Sequence, residues 1–342
     1  MISFVPERLL SVRRFRGYTQ KELADRSGLS KTMISEYEQG ISAPSPIARS
    51  KLSNTLQIRI EYFYFLSRLA LGTVNFQREK RFNTKRLYAI QEGVRQMVGA
   101  YLEIEDILNI DSVFQTSLKQ KGIHSIEEIK DIVLKLREEW EIGLGPIHNI
   151  IQVFEDQKIK VVQISEDIST FDGTSTLISD KYPVIVLNKN LTVEQKRFTL
   201  FYELGHLLLD VTKSELKAKK SFCTRFAKEF LFSKAALIKE FGTGRDPIVI
   251  DEIVFMHKKY GITFLNIVER LIEEKLITKS KREHYYENME LSERYKKRVL
   301  KSRFETPQYS DRFKHLINRA AFQRMIELDH LGNIFEWQHP KF

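Results

Sequence analysis

One long helix behind a set of short strands most constrains how this chain can fold. Residues Thr192 to Gln195 have the form of a capping box, in which the Thr hydroxyl and the Gln side chain satisfy backbone N–H groups at a helix start. We therefore expect a long helix that opens at Thr192 and holds Tyr202, Glu203 and His206. Three strand-like patterns precede it, at 159–164, 173–178 and 184–187. A small sheet followed by helices predicts an α+β domain in this part of the chain.

Two residues of this helix keep the spacing of a zinc-binding motif. Glu203 and His206 occupy the second and last positions of H-E-x-x-H, but Tyr202 stands where the first histidine would be. In the intact motif both histidines bind zinc from one helical face, and the glutamate acts as general base toward the metal-bound water. Tyrosinate can also bind zinc, so this change alone does not exclude a metal site.

The first part of the chain reads as a tight series of short helices, over residues 8–65. Thr19 and Glu22 form another capping-box pattern, at the start of the second helix. Ser30 is placed to cap a third helix, Lys31–Gln39. Two short helices joined by a turn that contains glycine, the second opening with small polar and basic residues, are typical of a helix-turn-helix.

This arrangement predicts a surface that contacts DNA. Met33 and Ile34 should face the core, and the polar residues of the third helix should lie outward, where they can meet base edges or phosphates. The alternative is a plain helical bundle whose exposed face happens to be polar. The residues that we expect to contact DNA are Thr19, Gln20, Ser30, Lys31, Thr32, Ser35 and Tyr37.

Three short motifs strengthen the prediction of DNA binding. T-Q-x-E-L-A runs from Thr19 to Ala24, G-L-S from Gly28 to Ser30, and I-S-x-Y-E-Q-G from Ile34 to Gly40. Together these motifs resemble the XRE (Cro/C1-type) helix-turn-helix family. The resemblance implies operator binding, usually as a dimer, with Ser30 to Tyr37 as the recognition helix.

A second resemblance covers roughly residues 87–277. The segments that carry it are Trp140 with Gly143 to Ile150, Phe171 to Gly173, Pro183 to Asn188, Arg197 to Leu209, Arg225 to Leu231 and Lys259 to Ile262. They resemble the ImmA/IrrE family of metallopeptidase-like domains. The resemblance implies that the first zinc histidine of the family falls on Tyr202, and the third ligand, a glutamate, on Lys220.

These two departures count against a zinc site. A lysine ammonium at a ligand position repels the metal, and binding would require deprotonation of a group whose reference pKa is about 10.4. The residues that could supply a missing ligand are His148, His257 and Asp210. We expect no metal cofactor, with zinc only if one of them rescues the site. Glu203 and His206 would then be a structural pair, with the Lys220 ammonium beside a buried Glu203.

Composition limits the compartment and the partners. The net charge of +10 and the pI near 9.4 favour an anionic partner, with nucleic acid first. The single cysteine, Cys223, excludes an internal disulfide and fits a reducing cytosol. The first residues do not read as a signal peptide, and no apolar run is long enough to span a bilayer. We therefore expect a cytoplasmic protein without a membrane partner.

The expected organisation has four parts. They are a helix-turn-helix domain at 1–66, a linker or hinge at 67–95, a metallopeptidase-like domain at 96–278 and a charged helical extension at 279–342. The fold class is an α-helical helix-turn-helix domain plus an α+β zincin-like domain, mostly α overall. We also expect a helix over 221–239 and a final amphipathic helix over 309–326. The basic residues of the extension form either a solvated face or a further surface for DNA or a partner.

These observations predict a sequence-specific DNA-binding transcriptional regulator, either a repressor or an antitoxin-like protein. The metallopeptidase-like domain would be a pseudoenzyme that serves sensing, dimerisation or partner binding. The expected partners are a double-stranded DNA operator, a second copy of the chain, and a protein toxin or small-molecule effector. The alternative is a zinc-dependent endopeptidase that cleaves a repressor or partner protein, with Glu203 as its catalytic base.

Overall fold

The computed structural model describes residues 4–64, 83–116, 118, 123, 125–167, 171–209, 216–244 and 248–326, and they divide into two compact units. The first unit takes its residues from Met1–Val113, Thr176–Val184 and Asp311–Phe342. The second takes them from Phe114–Ser175 and Ile185–Ser310. None of the described helices combines the length and apolar character that crossing a bilayer requires.

The first unit begins with four short helices and one long one. They are α1 (Pro6–Phe15), α2 (Gln20–Ser27), α3 (Lys31–Gln39), α4 (Pro46–Leu56) and, after a 3-10 turn at Ile60–Tyr64, α5 (Thr84–Ile107). The capping box predicted at the start of α2 is present, with both the Thr19 and the Glu22 hydrogen bonds. Gly28 and Gly40 end α2 and α3 in the left-handed conformation that glycine adopts without strain.

Helix α5 packs against α1 of the same unit. The Ser11 hydroxyl donates to the buried Glu92 carboxylate, and Arg95 Nη2 donates to Ser11 Oγ at 3.1 Å. Helix α5 is continuous from Thr84 to Ile107, so the boundary expected between residues 95 and 96 falls inside it. The long helix thus belongs with the helix-turn-helix, because its buried face is anchored on α1.

Apart from the last described helix, the remaining elements lie wholly or partly in the second unit, since the strand residues within Thr176–Val184 are counted with the first. They are α6 (Ile126–Glu139), α7 (Ile150–Asp156), β1 (Lys160–Ile164), β2 (Gly173–Ile178), β3 (Tyr182–Asn188), α8 (Val193–Leu208), α9 (Leu216–Leu231), α10 (Lys234–Phe241), α11 (Ile250–Tyr260), α12 (Phe264–Glu273), α13 (Arg282–Leu291) and α14 (Glu293–Lys301). The strands pair in the order β1-β3-β2, so β3 is central. Its residues 184–187 are fully buried, as a central strand requires. The three predicted strands and the capping box of α8 are all present.

The helix expected over 221–239 is wrong in its bounds. The chain forms α9, which ends at Leu231, and then a separate α10 from Lys234. Ser233 starts the second helix, because its side chain accepts a hydrogen bond from the backbone N–H of Ala236 at 3.2 Å. Ser233, which the expected single helix included, is therefore the N-cap of a second helix.

Helices α8 and α9 pack very closely, and this contact positions the candidate site. A Cβ added at Gly205 would lie 3.3 Å from Cys223 Cα, so a larger side chain would push the helices apart. One turn earlier, the rings of Phe201 and Phe230 stack with their centroids 4.2 Å apart. The aromatic and small residues of this contact fix α8 with Tyr202 and His206 on its half-buried face.

The last described helix, α15 (Arg312–Phe322), belongs to the first unit. It starts three residues after the predicted position and packs Leu316 and Ile317 against Tyr101 and Ile104 of α5. The extension expected at 279–342 therefore does not form one body, because α13 and α14 lie in the second unit.

Candidate functional sites

The first candidate site is the exposed surface of α2 and α3. Two of its residues serve as helix caps: Thr19 Oγ1 accepts from the backbone N–H of Glu22, and Ser30 Oγ from that of Met33, each at 3.1 Å. A hydroxyl that accepts one hydrogen bond keeps its own hydrogen as a donor, so both side chains can also donate to a phosphate. Lys31 and Thr32 follow Ser30 with exposed side chains.

A buried network fixes α2 and α3 relative to α1. Glu38 accepts from Arg13 Nε at 2.5 Å and from Gln20 Nε2 at 2.9 Å. Gln20, which we expected at a phosphate, is thus half-buried and oriented by α3. The charge-assisted hydrogen bonds to Glu38 hold the two helices of the motif in a fixed relative position.

The expected outward position of Tyr37 is wrong. Its side chain is 5% exposed and packs in the core cluster with Ile34. Residues three apart lie on one face of a helix, so the face that buries Ile34 also buries Tyr37. Burial raises the pKa of the Tyr37 hydroxyl above its usual value. Tyr37 therefore belongs to the hydrophobic core of the first unit.

One polar residue of this surface was missed by sequence reasoning. Gln39 is exposed, and its Nε2 donates to Ser35 Oγ at 3.1 Å. Lys31, Ser35 and Gln39 are spaced by four residues and lie along one face of α3. That spacing was the signal that could have found Gln39. The recognition surface, as we use the term below, comprises Ser30, Lys31, Thr32, Ser35 and Gln39.

The second candidate site surrounds Glu203 on α8. Glu203 is 3% exposed, and Ser175 Oγ on β2 donates to its Oε2 at 2.8 Å. The strand reaches the helix because Gly173 lacks a side chain: a Cβ there would lie 2.6 Å from Thr199 Cγ2. The buried carboxylate is thus held by a hydroxyl of the sheet.

Tyr202 and His206, at the other positions of the zinc motif, contact each other through their rings. The rings of Tyr202 and His206 meet edge to face, with centroids 4.8 Å apart, and Phe198 stacks on Tyr202 one turn earlier. Lys220, on α9, is exposed, whereas Glu203 is buried. The structure shows a hydrogen bond to Glu203 from the Ser175 hydroxyl, and the pairing that we expected with the Lys220 ammonium stays a prediction.

Two of the three residues considered as replacement ligands lie in the described part of the chain. His257 is buried on α11, with its Nδ1 2.6 Å from the carbonyl oxygen of Ile262. His148 is exposed, and Asp210 lies outside the described residues. Within the described ranges, no group of three or more His, Cys, Asp or Glu side chains could hold a metal ion. Catalytic zinc needs about three protein ligands. Among the described residues, the motif positions offer Glu203 and His206 beside Tyr202 and the cationic Lys220, a set whose chemistry fits zinc poorly.

A buried arginine orients the first half of α8, and sequence reasoning missed it. Arg197 is 0% exposed; its Nη2 donates to the carbonyl oxygen of Tyr260 at 2.8 Å and its Nε to that of Gly261 at 3.1 Å. Its guanidinium carbon lies 4.2 Å from the centre of the Phe304 ring. Burial lowers the pKa of Arg197 to about 9. Backbone carbonyls and an aromatic face thus replace a carboxylate as its partners.

Comparison with known protein families confirms both predicted resemblances. Residues 11–63 match the family model described as Helix-turn-helix, and residues 154–272 match the model described as IrrE N-terminal-like domain. A search of curated proteins found no match. The chain therefore joins a helix-turn-helix domain of the XRE type to an IrrE N-terminal-like, peptidase-like domain.

Proposed function

We propose that this protein is a sequence-specific DNA-binding transcriptional regulator. The observation that carries the proposal is the recognition surface: Ser30 caps α3, and Lys31, Ser35 and Gln39 line one face of it. A helix presented in this way can enter the major groove with its first residues at the base edges. The net charge of +10 favours the phosphate contacts that position such a helix.

The functional form that we propose is a homodimer on a double-stranded operator. Two copies related by a two-fold axis would place two α3 helices in successive major grooves. The protein would act as a repressor, or as an antitoxin-like protein that also binds a toxin.

The IrrE-like domain, in this proposal, does not cleave peptides. Tyr202 and Lys220 stand at two of the expected ligand positions, and Glu203 is engaged by Ser175. The domain would instead serve sensing, dimerisation or partner binding, with a small-molecule effector or a protein toxin as the partner.

A zinc-dependent endopeptidase is the second candidate function. It is favoured by Glu203 and His206, which keep the spacing of a general base and a ligand on α8. Metal analysis of the purified full chain separates the two candidates. About one zinc per chain in the wild type, lost in His206→Ala, would support the endopeptidase. Zinc well below one per chain, equal in both proteins, would support the regulator.

DNA binding is tested with DNA from upstream of the protein's own gene. Lys31→Ala and Ser35→Ala should each weaken specific binding by about 1–3 kcal/mol, because each removes a contact with base edges or phosphates. Lys297→Ala is the matched control, since it removes a lysine that is also exposed, from α14. Unchanged affinity in both α3 variants would refute the recognition surface.

A further inference from the structure

The first unit contains a concave surface of about 520 Å³ between the helix-turn-helix and the start of α5. We call it the basic cleft. The side chains that define it are Arg16, Arg26, Lys85, Arg86, Glu22 and Tyr18. Its volume falls in the range of small-molecule sites, about 300–1,000 Å³.

The lining of the basic cleft has a strong excess of positive charge. Among the described lining residues, four cationic side chains accompany one carboxylate, that of Glu22. Lys85 and Arg86 lie in the first turn of α5, and this turn contains no acidic residue. Cations at this end of a helix oppose its dipole, so they do not stabilise α5. The charge of the cleft instead complements an anion.

Two of the arginines are held in place by the helix-turn-helix domain itself. The Arg16 Nε donates to the carbonyl oxygen of Leu56 at 2.8 Å. The Arg26 guanidinium lies over the Tyr18 ring, 4.8 Å from its centre. Side chains oriented in advance lose less entropy when a ligand binds.

One ion pair connects the two walls of the cleft. Lys85 Nζ, on α5, donates to both carboxylate oxygens of Glu22, at 2.7 and 2.9 Å. Glu22 also accepts from the backbone N–H of Thr19 at 2.7 Å, as part of the capping box of α2. The same carboxylate thus joins α5 to the cap of a helix in the DNA-binding motif.

We propose that the basic cleft binds the phosphate groups of a small di- or triphosphate. Arg26 and Arg86 supply planar donors suited to phosphate oxygens, and Lys85 supplies a point charge. A phosphate bound to Lys85 competes with Glu22, and the tie between α5 and α2 is then released. Ligand binding is in this way transmitted to the helix-turn-helix, a step that rests on the DNA-binding function proposed above.

The test is titration of the full chain with pyrophosphate, at constant ionic strength, followed by calorimetry. The wild type should bind one pyrophosphate. The double variant Arg26→Gln/Lys85→Gln should bind it at least about tenfold more weakly. The matched control is Lys297→Gln/Lys301→Gln, which removes two exposed charges from α14. Equal binding by all three proteins, or no binding of pyrophosphate by the wild type, overturns the proposal.

Salt-dependent DNA binding by the same proteins identifies the source of the phosphate. If the cleft takes a free phosphate compound, pyrophosphate alters the DNA affinity of the wild type only, and the salt slope of the cleft variant is unchanged. If it takes phosphates of the DNA backbone, the slope of the cleft variant falls by about two. If the wild type binds pyrophosphate but shows no specific DNA binding in its absence, the proposed function is refuted and the cleft remains a phosphate site.

Discussion

Ser175 Oγ lies 2.8 Å from Glu203 Oε2, so a hydroxyl of β2 holds the carboxylate that an intact zinc motif would use as general base. Glu203 is 3% exposed, and a buried carboxylate is costly without hydrogen-bond donors. The contact gives this residue a structural role that needs no metal.

Ser175→Ala should therefore destabilise the protein by about 1–3 kcal/mol, because it removes a donor from a buried carboxylate. Urea unfolding of the full chain measures the change. Ser280→Ala, at an exposed serine of the same unit, is the control and should change stability by less than about 0.5 kcal/mol. A cost no larger than that of the control would show that Ser175 does not support Glu203.

Arg197→Lys should cost about 2–4 kcal/mol, although it keeps the charge. An ammonium cannot reproduce the planar donors that reach the carbonyl oxygens of Tyr260 and Gly261, and those buried acceptors lose their partners. Thermal or urea unfolding tests this expectation. Arg282→Lys is the matched substitution at a side chain that is 49% exposed, and it should be nearly neutral. Equal effects at the two positions would contradict the structural role of Arg197.

Tyr37 separates core packing from DNA contact. Tyr37→Phe keeps the buried ring, so we expect its affinity for DNA to equal that of the wild type. Tyr37→Ala should lose about 3–5 kcal/mol of stability, the usual cost of deleting a buried aromatic ring. Anisotropy with upstream DNA and urea unfolding measure the two effects. A folded Tyr37→Phe protein with weakened specific binding would restore Tyr37 to the recognition surface.

Glu22 should contribute to acid sensitivity. The hydrogen bond from Lys85, with that from the Thr19 backbone, lowers the pKa of Glu22 from 4.5 to about 2. Because the folded-state pKa is the lower one, the unfolded chain binds more protons in this range, and stability is lost as the pH falls from 4.5 to about 2.

Glu22→Gln should accordingly be less stable than the wild type near neutral pH, and the difference should shrink through that acid window. Chemical unfolding at several pH values measures it. Asp25→Asn, which removes an exposed carboxylate from the same helix, is measured in parallel as the control. A stability difference that does not depend on pH would contradict the role of the Lys85 contact.

The sequence by itself determined the capped starts of α2, α3 and α8, the strands and both families. The caps at Thr19, Ser30 and Thr192 were predictable because each joins a side chain to a backbone group three residues ahead. The strands were predictable because alternation and apolar runs are local patterns. Motif spacing on one helix also identified Tyr202 as a departure from a zinc site, and the resemblance to the ImmA/IrrE family implied a second departure at Lys220.

Only the tertiary structure decided the environments of the buried polar residues. Ser175 is 28 residues from Glu203, and Arg197 is 64 residues from Gly261, so no local pattern connects them. The burial of Tyr37 and the packing of α5 on α1 likewise depend on which faces the folded chain covers. Local hydrogen bonds and periodicity are written into short segments, whereas a buried charge takes its partner from whichever distant segment packs against it.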